Sequence, residues 1–496
     1  MHETRHLTRR GLLKAAGAVG TVGAAGAVVG GGAPSAVAAG GAFAHPGLLH
    51  TRTDLGRMAA KVKAGAAPYT AGFAKLTANR HAQSGWRANP QATVYRGAGS
   101  PQNYAILYND IHAAYQNALR HHVSGESVYA DTAVAILNAW SAKLTSIAGS
   151  ADRFLAAGLY GYQFANAAEL VRDHPGFDLA GAKKVLRDVF SPLGESFLTQ
   201  HNGAVITNYW PNWDLTAMAC VLATGIFCDD RDKVERVVEY FKSGAGLGSV
   251  KNAIPVVHED GLAEWLEAGR DQGHALLGVG LMGTVCEMAW NQGIDLYGYD
   301  DSRFLKGAQY VAKWSLGGGV PYTANTRKKG AVGGWSGSET ASAAAGVDPG
   351  MTRPIWAMIA NHYTKRRGLS ATYLTRIAAK AAPEGGGGDY GPNSGGYDQL
   401  GFGTLAYTRD KAADPTAAPT PAASAKTSTS GSGARPQSAA SPSPATGSGS
   451  GSGHDLAATG SSDLLGWSAA AGVTAVAGGL LMLRRRDRAR RGSEGS

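Results

Sequence analysis

Between about residues 50 and 380, apolar side chains return every three or four positions in one segment after another. TDLGRMAAKVKAG, NYAILYNDIHAAYQNALRHHV, DTAVAILNAWSAKLTSIA and RFLAAGLYGYQFANAAELVR each carry an apolar stripe at helical spacing. Glycine, proline and Asn/Asp clusters separate the segments, so many short helices are predicted rather than a few long ones. Alternating strand patterns are scarce before YDQLGFGTLAYTRD, close to the end of this region. No fixed-period repeat runs through the helices, which argues against a regular solenoid. The pattern predicts an all-α domain, and a closed ring of helical hairpins, an α/α barrel, fits it. Small and aromatic residues share helices (Gly158 and Gly161 with Tyr160, Tyr162 and Phe164), as closely packed inner helices require.

The two ends differ from this middle. Of the formal charge of +10, residues 1–38 and 460–496 hold +3 each, leaving only +4 between them. That mild balance suits an acidic polymer, and the absence of a basic run interleaved with aromatics argues against nucleic acid. Arg9-Arg10, a weakly apolar Gly/Ala stretch and Ala36-Val37-Ala38 resemble a twin-arginine export signal over 1–38. The folded domain is expected over 45–410. Residues 411–455 are rich in Pro, Ser, Thr and Gly and too poor in large apolar side chains to fold, so a disordered linker is expected. LAATG (456–460), an apolar stretch from Leu464 to Leu483 and RRRDRARR together resemble a sortase sorting signal over 456–496. That resemblance implies cleavage between Thr459 and Gly460 and attachment to peptidoglycan. A simple C-terminal transmembrane helix with its basic tail inside is the other reading. Both put the folded part outside the cell, wall-anchored or membrane-tethered. The cysteines, Cys220, Cys228 and Cys286, form no metal spacing and no disulfide framework, although Cys220 and Cys228 could pair.

Several short stretches carry polar chemistry. TNYWPNWD (207–214) sets Asn208, Tyr209, Trp210, Asn212, Trp213 and Asp214 around Pro211, which disfavours helix at Trp210 and marks a loop or helix entry. Aromatic rings beside amides suit stacking on sugar rings while bonding their hydroxyls; packing in the core is the plainer alternative. EAGRDQGHALLG (267–278) gathers Glu267, Arg270, Asp271, Gln272 and His274 at the mouth of an otherwise apolar segment. If this is helical, Arg270 and His274 share a face, with Glu267 one turn earlier. A helix-start ion-pair set would explain the group without function, but charges at the mouth of a buried helix are usually paired or working. DLYGYDDSRFLKGAQYVAKW adds Tyr297, Tyr299 and Tyr310, and RPIWAMIANHY ends with Asn361, His362 and Tyr363 on one turn.

Taken together, NYAILYND, GYQFANAAEL, TNYWPNWD, GRDQGH, DLYGYDDSRFLKGAQYVAKW and the end of PIWAMIANHY resemble the alginate-lyase-type bacterial polysaccharide lyases over roughly residues 45–380. The resemblance implies an incomplete helical toroid and β-elimination on a uronic-acid polysaccharide of alginate or glucuronan type. It implies Asn212 as carboxylate neutraliser, with Asn208 as a competitor. It further implies that Arg270 polarises the site, that His274 is base or neutraliser, and that a tyrosine is the acid/base, Tyr299 first and Tyr209 second. Asn208, Tyr209, Trp210, Trp213, Gln272 and His362 would bind substrate. The chain lacks the Asn-Asn-His run of the better-known toroidal alginate lyases, so their division of roles does not carry over whole. Without metal-ligand spacing, the neutraliser is expected to be protein, with no metal and no cofactor. The expected partners are an anionic polysaccharide and, through LAATG, sortase and peptidoglycan.

Two other classes fit parts of the pattern. An α/α-barrel glycoside hydrolase needs two carboxylates across a glycosidic bond, for which Asp214 with Glu267 or Asp271, or Glu259 with Asp260, are candidates. A surface polysaccharide-binding protein on a lyase fold would use the same stalk and sorting signal.

Overall fold

A computed structural model describes residues 42–411, except 99–101, 335, 352 and 387–396. The export signal, most of the linker and the sorting signal lie outside the described residues. Among the described residues no helix is long and apolar enough to cross a membrane.

Among the described residues the apolar periodicity becomes fifteen α-helices: α1 Arg52–Lys63, α2 Tyr69–Ala78, α3 Tyr104–Ser124, α4 Ser127–Lys143, α5 Asp152–Leu170, α6 Leu179–Val185, α7 Ser191–Gln200, α8 Pro211–Cys228, α9 Arg231–Ser243, α10 Val250–Ala253, α11 Gln272–Asn291, α12 Tyr299–Ser315, α13 Trp356–Asn361, α14 Thr372–Ala381 and α15 Gly403–Ala406. Their boundaries follow local chemistry. Thr51 and Asp54 cap α1 reciprocally, and Gly125, at φ 79°, ends α3 in the left-handed conformation that glycine adopts without cost. Asp271 caps α11 through the His274 backbone N–H.

The helices pack as an incomplete ring of hairpins. α3, α5, α8, α11 and α13 are successive inner neighbours, and α4, α7, α9, α12 and α14 pack outside them. α1, α2 and α15 bridge from α13 back to α3. Inner helices approach closely because small residues face large ones. A Cβ on Gly158 of α5 would sit 2.2 Å from Thr216 of α8, and one on Gly280 of α11 would sit 2.6 Å from Ile355. α5, α8 and α11 are buried almost all round, so their faces carry little amphipathic contrast, whereas α9 and α14 show the strong one-sided stripe of an outer layer.

The short strands β1 Thr93–Arg96 and β2 Ser146–Gly149 pair in parallel, and β3 Asn325–Gly330 pairs antiparallel with β4 Ser336–Ala341. The expected strand in YDQLGFGTLAYTRD does not form. Tyr397 and Phe402 adopt left-handed φ of 59° and 58°, and α15 begins at Gly403. Residues 397–400 instead cross the inside of the ring. Tyr162 donates to the Asp398 carbonyl at 2.6 Å, and Gln163 donates to that of Tyr397 at 2.7 Å. At the other side the Gln399 amide lies against Gly280. These partners sit eight to eleven residues into α3, α5 and α11, so this strap lies about 12–16 Å below the helix N-termini. Cys220 and Cys228 both stand on α8 as free thiols, eight residues or about 12 Å apart along the axis, beyond disulfide reach.

Candidate active site

The N-termini of α8 and α11 meet over one buried carboxylate. Pro211 opens α8 with the φ its ring already fixes, and this places Asn212 in the first turn, buried. The Asn212 backbone N–H donates to Glu267 Oε2 at 3.2 Å, and its side-chain amide donates to Oε1. Glu267 is fully buried in the 3-10 turn Leu266–Gly269 just before α11. Arg270 Nη1 donates to the same Oε1 at 3.0 Å. One carboxylate therefore orients both the amide and the guanidinium. Burial pushes the Glu267 carboxyl pKa up; the charges of Arg270 and His274 and the Asn212 bond pull it back without cancelling the rise.

His274 stands in the first turn of α11. Its Nδ1 lies 2.7 Å from Asp271 Oδ2, and its Nε2 lies 3.1 Å from Arg270 Nη2. A guanidinium offers only donors, so Nε2 accepts and Nδ1 carries the proton toward Asp271. Burial raises the Asp271 carboxyl, but the hydrogen bonds and charge of His274, with Arg270 behind them, outweigh it and hold its pKa at about 2. The result is a carboxylate–imidazole–guanidinium row, half-exposed at Arg270 and His274, beside an amide that keeps one N–H free.

The hairpin of β3 and β4 props the other side of the NYWPNWD turn. The Arg327 guanidinium lies over the Trp210 ring at 4.4 Å, bonds to the carbonyls of Thr207 and Asn208, and pairs with Glu339. The Asn208 side chain accepts from Gly330 N at 2.8 Å, so Asn208 is tied to the hairpin and does not join Asn212. Tyr209 and Trp213 turn to a satellite cluster around Phe197, with ring centroids 5.0 and 5.7 Å away. Gln272 accepts from Asp348 N at 2.8 Å, a loop tether.

Two expected site residues lie elsewhere. α11 has 20 residues and so carries the chain about 30 Å before Tyr299 is reached. Tyr299 packs there against Phe241 and beneath Lys242 of α9, not beside Arg270. His362 stacks on Tyr297 at 3.6 Å and meets Trp290, at the same distant end; burial drives its pKa down to about 2. Neither shares the Asn212–Arg270–His274 cluster.

The carboxylates named for a hydrolase are placed as follows. Glu267 is enclosed by its three donors. Asp214 is fully buried, bonded to His201 (2.8 Å), Tyr240 (2.7 Å) and Gly248 N (3.1 Å). Glu259 and Asp260 lie on an exposed turn. Among the described residues no group of three or more His, Cys, Asp or Glu could hold a metal ion.

A second set of groups, not singled out in the sequence, faces the ring's interior from β1, α3 and α5. Arg96 donates to the Tyr160 hydroxyl at 3.2 Å and lies 5.1 Å from the Tyr104 ring, while Tyr108 stacks on Tyr397 of the strap at 4.4 Å. Asp398, paired with Arg353 at 3.0 Å, joins this set to the first: burial raises its carboxyl, and Arg353, Arg96 and His274 all act to lower it. Because α3, α5, α8 and α11 present their N-termini on this side, the positive ends of four helix dipoles surround the cluster and favour an anion. A cavity of about 550 Å³, lined by Arg52, His121, His122 and Asp173 among others, lies at the C-terminal ends of α3 and α5 and holds none of these groups.

An amide, a guanidinium and an imidazole thus meet at the helix N-termini of a helical ring, and the chain is a polysaccharide lyase. Residues 66–320 match the family model described as alginate lyase, and the chain belongs to that family. The match includes Asn212, Glu267, Arg270 and His274. Among solved structures it is similar to alginate lyase A1-III from Sphingomonas species A1, at 15% identity and a TM-score of 0.45, covering 72% of this chain and 95% of that one. A variant of alginate lyase A1-III complexed with tetrasaccharide gives 15% identity and a TM-score of 0.40, over 68% and 94% of the two chains. An alginate lyase from Bacteroides ovatus gives 14% and 0.36, over 53% and 82%. No curated protein sequence matches the chain.

Proposed function

We propose that this chain cleaves a uronic-acid polysaccharide of alginate or glucuronan type by β-elimination, outside the cell. The observation that carries the reading is the convergence of Asn212, Arg270 and His274 on the Glu267 and Asp271 carboxylates. C5 of a uronate is a poor acid because the adjacent carboxylate is already negative. The free Asn212 N–H and the unused Arg270 donors bind that carboxylate and stabilise the dianion that develops as the proton leaves, as an oxyanion hole does. As Arg270 Nη2 turns from His274 Nε2 onto the uronate carboxylate, Nε2 is freed to take the C5 proton, and Asp271 stabilises the imidazolium. The electron pair left at C5 forms the C4–C5 double bond, and the C4–O bond breaks.

Arg270→Ala tests this. Turnover is expected to fall at least about 100-fold while folding and polymer retention persist. A fully active variant would remove Arg270 from the mechanism. A wild type that binds polyuronate without cutting it would favour a surface-binding protein.

The same proposal covers location. The order of a twin-arginine segment, a Pro/Ser/Thr/Gly-rich linker, LAATG, an apolar stretch and a basic tail supports export, with sortase joining Thr459 to peptidoglycan. Release of the protein from cells by a peptidoglycan hydrolase, but not by detergent, is the expected outcome; detergent release would instead favour membrane tethering.

A further inference from the structure

β-Elimination also needs a proton for the departing glycosidic oxygen, and among the described residues the cluster around His274 holds no free acid for it. We propose that Tyr397 is that acid; the proposal rests on the lyase reading above. Tyr397 adopts φ 59°, a conformation that bulky residues rarely take, and three inner-helix side chains hold the backbone there. Its carbonyl accepts from His112 Nε2 at 3.0 Å and from Gln163 Nε2 at 2.7 Å, and the next carbonyl accepts from Tyr162 at 2.6 Å. The ring stacks on Tyr108, with the edges of His112 and His81 at 5.1 and 5.4 Å. The phenolic oxygen accepts from Arg80 Nη2 at 3.1 Å, which leaves its O–H to donate.

The other tyrosines are less suited. Tyr160 is buried, with its oxygen engaged by Arg96, and burial pushes the Tyr108 phenol up to about 12. Tyr209 and Tyr299 lie outside the cluster. Tyr397 is half-exposed on the strap that floors the ring, and its ring stacks on Tyr108, five residues into α3, toward the side where the inner-helix N-termini and His274 lie.

The step balances. As the C4–O bond breaks, its electron pair stays on oxygen and takes the Tyr397 proton. The phenolate left behind is stabilised by the Arg80 guanidinium and regains a proton from water.

Tyr397→Phe keeps the ring, its stacking and the strap's backbone bonds. On polyuronate, kcat is expected to fall about 100-fold or more with KM little changed. On a uronide bearing fluoride at C4, which leaves without a proton, the same variant is expected to lose less than about tenfold. Arg80→Gln, at an exposed position, is expected to lower kcat about tenfold on polymer and little on the fluoride, and it decides the matter if Tyr397→Phe fails to fold. Polymer turnover within threefold of wild type, or equal losses on both substrates, would overturn the assignment of Tyr397. A wild type that yields no unsaturated product from any polyuronate would instead overturn the lyase reading itself.

Discussion

Glu267→Gln separates positioning from folding. The carboxylate accepts three bonds: Asn212 Nδ2 and Arg270 Nη1 on Oε1, and the Asn212 backbone N–H on Oε2. Glutamine has one acceptor oxygen, so if that oxygen replaces Oε1, its NH₂ faces the Asn212 N–H, donor against donor. Burying an unsatisfied donor costs about 1–3 kcal/mol, and the two remaining bonds lose their charge assistance. Opposing this, full burial of Glu267 disfavours its ionised carboxyl, so a neutral side chain recovers part of the loss. The net expectation is a destabilisation of about 2 kcal/mol, measured by urea unfolding. Turnover should suffer more, because the strained amide shifts Asn212 and Arg270 loses its counter-charge. A displacement approaching 1 Å costs on the order of 100-fold in rate. Turnover within twofold of wild type would refute the claim that Glu267 aims these two residues. A destabilisation above about 5 kcal/mol with full activity in the folded fraction would assign it to folding alone.

Three further outcomes follow from the geometry. Asp271→Asn keeps an N-cap for α11 but loses the ion pairs that depress the Asp271 pKa, so stability should fall by about 1 kcal/mol at neutral pH, while loss of the anionic partner of His274 Nδ1 should lower kcat about 100-fold or more. Steady-state kinetics beside a melting curve check both parts. Glu384 is buried, accepts from Trp356 and Ala357 N–H, and has its pKa raised by burial from 4.5 to about 7. Its stabilising contribution is complete below pH 4.5 and lost as pH rises through 7, up to about 3 kcal/mol. Glu384→Gln should therefore flatten the fall in stability between pH 5 and 8, and an unchanged slope would contradict the assignment. Mild oxidation should leave Cys220 and Cys228 unlinked, which mass spectrometry of the peptides reads directly.

The parts of this account legible in the sequence are the local ones. Arg270, Asp271 and His274 lie within five residues, so the chain itself keeps them close, although Arg270 and Asp271 stand before α11 rather than on it and Asp271 caps it. Helix type was equally readable, because each segment carries its own apolar stripe. What escaped depends on distance along the chain. Glu267 meets Asn212 across 55 positions, and Arg327 reaches Trp210 from a hairpin whose polar strands show no alternation of apolar residues. Tyr299 follows the cluster closely in sequence but stands at the far end of α11, because a long helix separates in space what the chain keeps near. Trp213 follows Asn212 on α8, where about 100° per residue turns it to Phe197, and Tyr209 packs on the same ring from the turn before the helix.

The central claim is that the Asn212–Arg270–His274 cluster breaks a glycosidic bond by elimination rather than by adding water. Ultraviolet absorbance, followed while the purified domain acts on polymannuronate, polyguluronate and polyglucuronate, tests it most directly. The account predicts absorbance growing in step with new chain ends on at least one polymer, from the C4–C5 double bond of the unsaturated sugar. New reducing ends without that absorbance would contradict it.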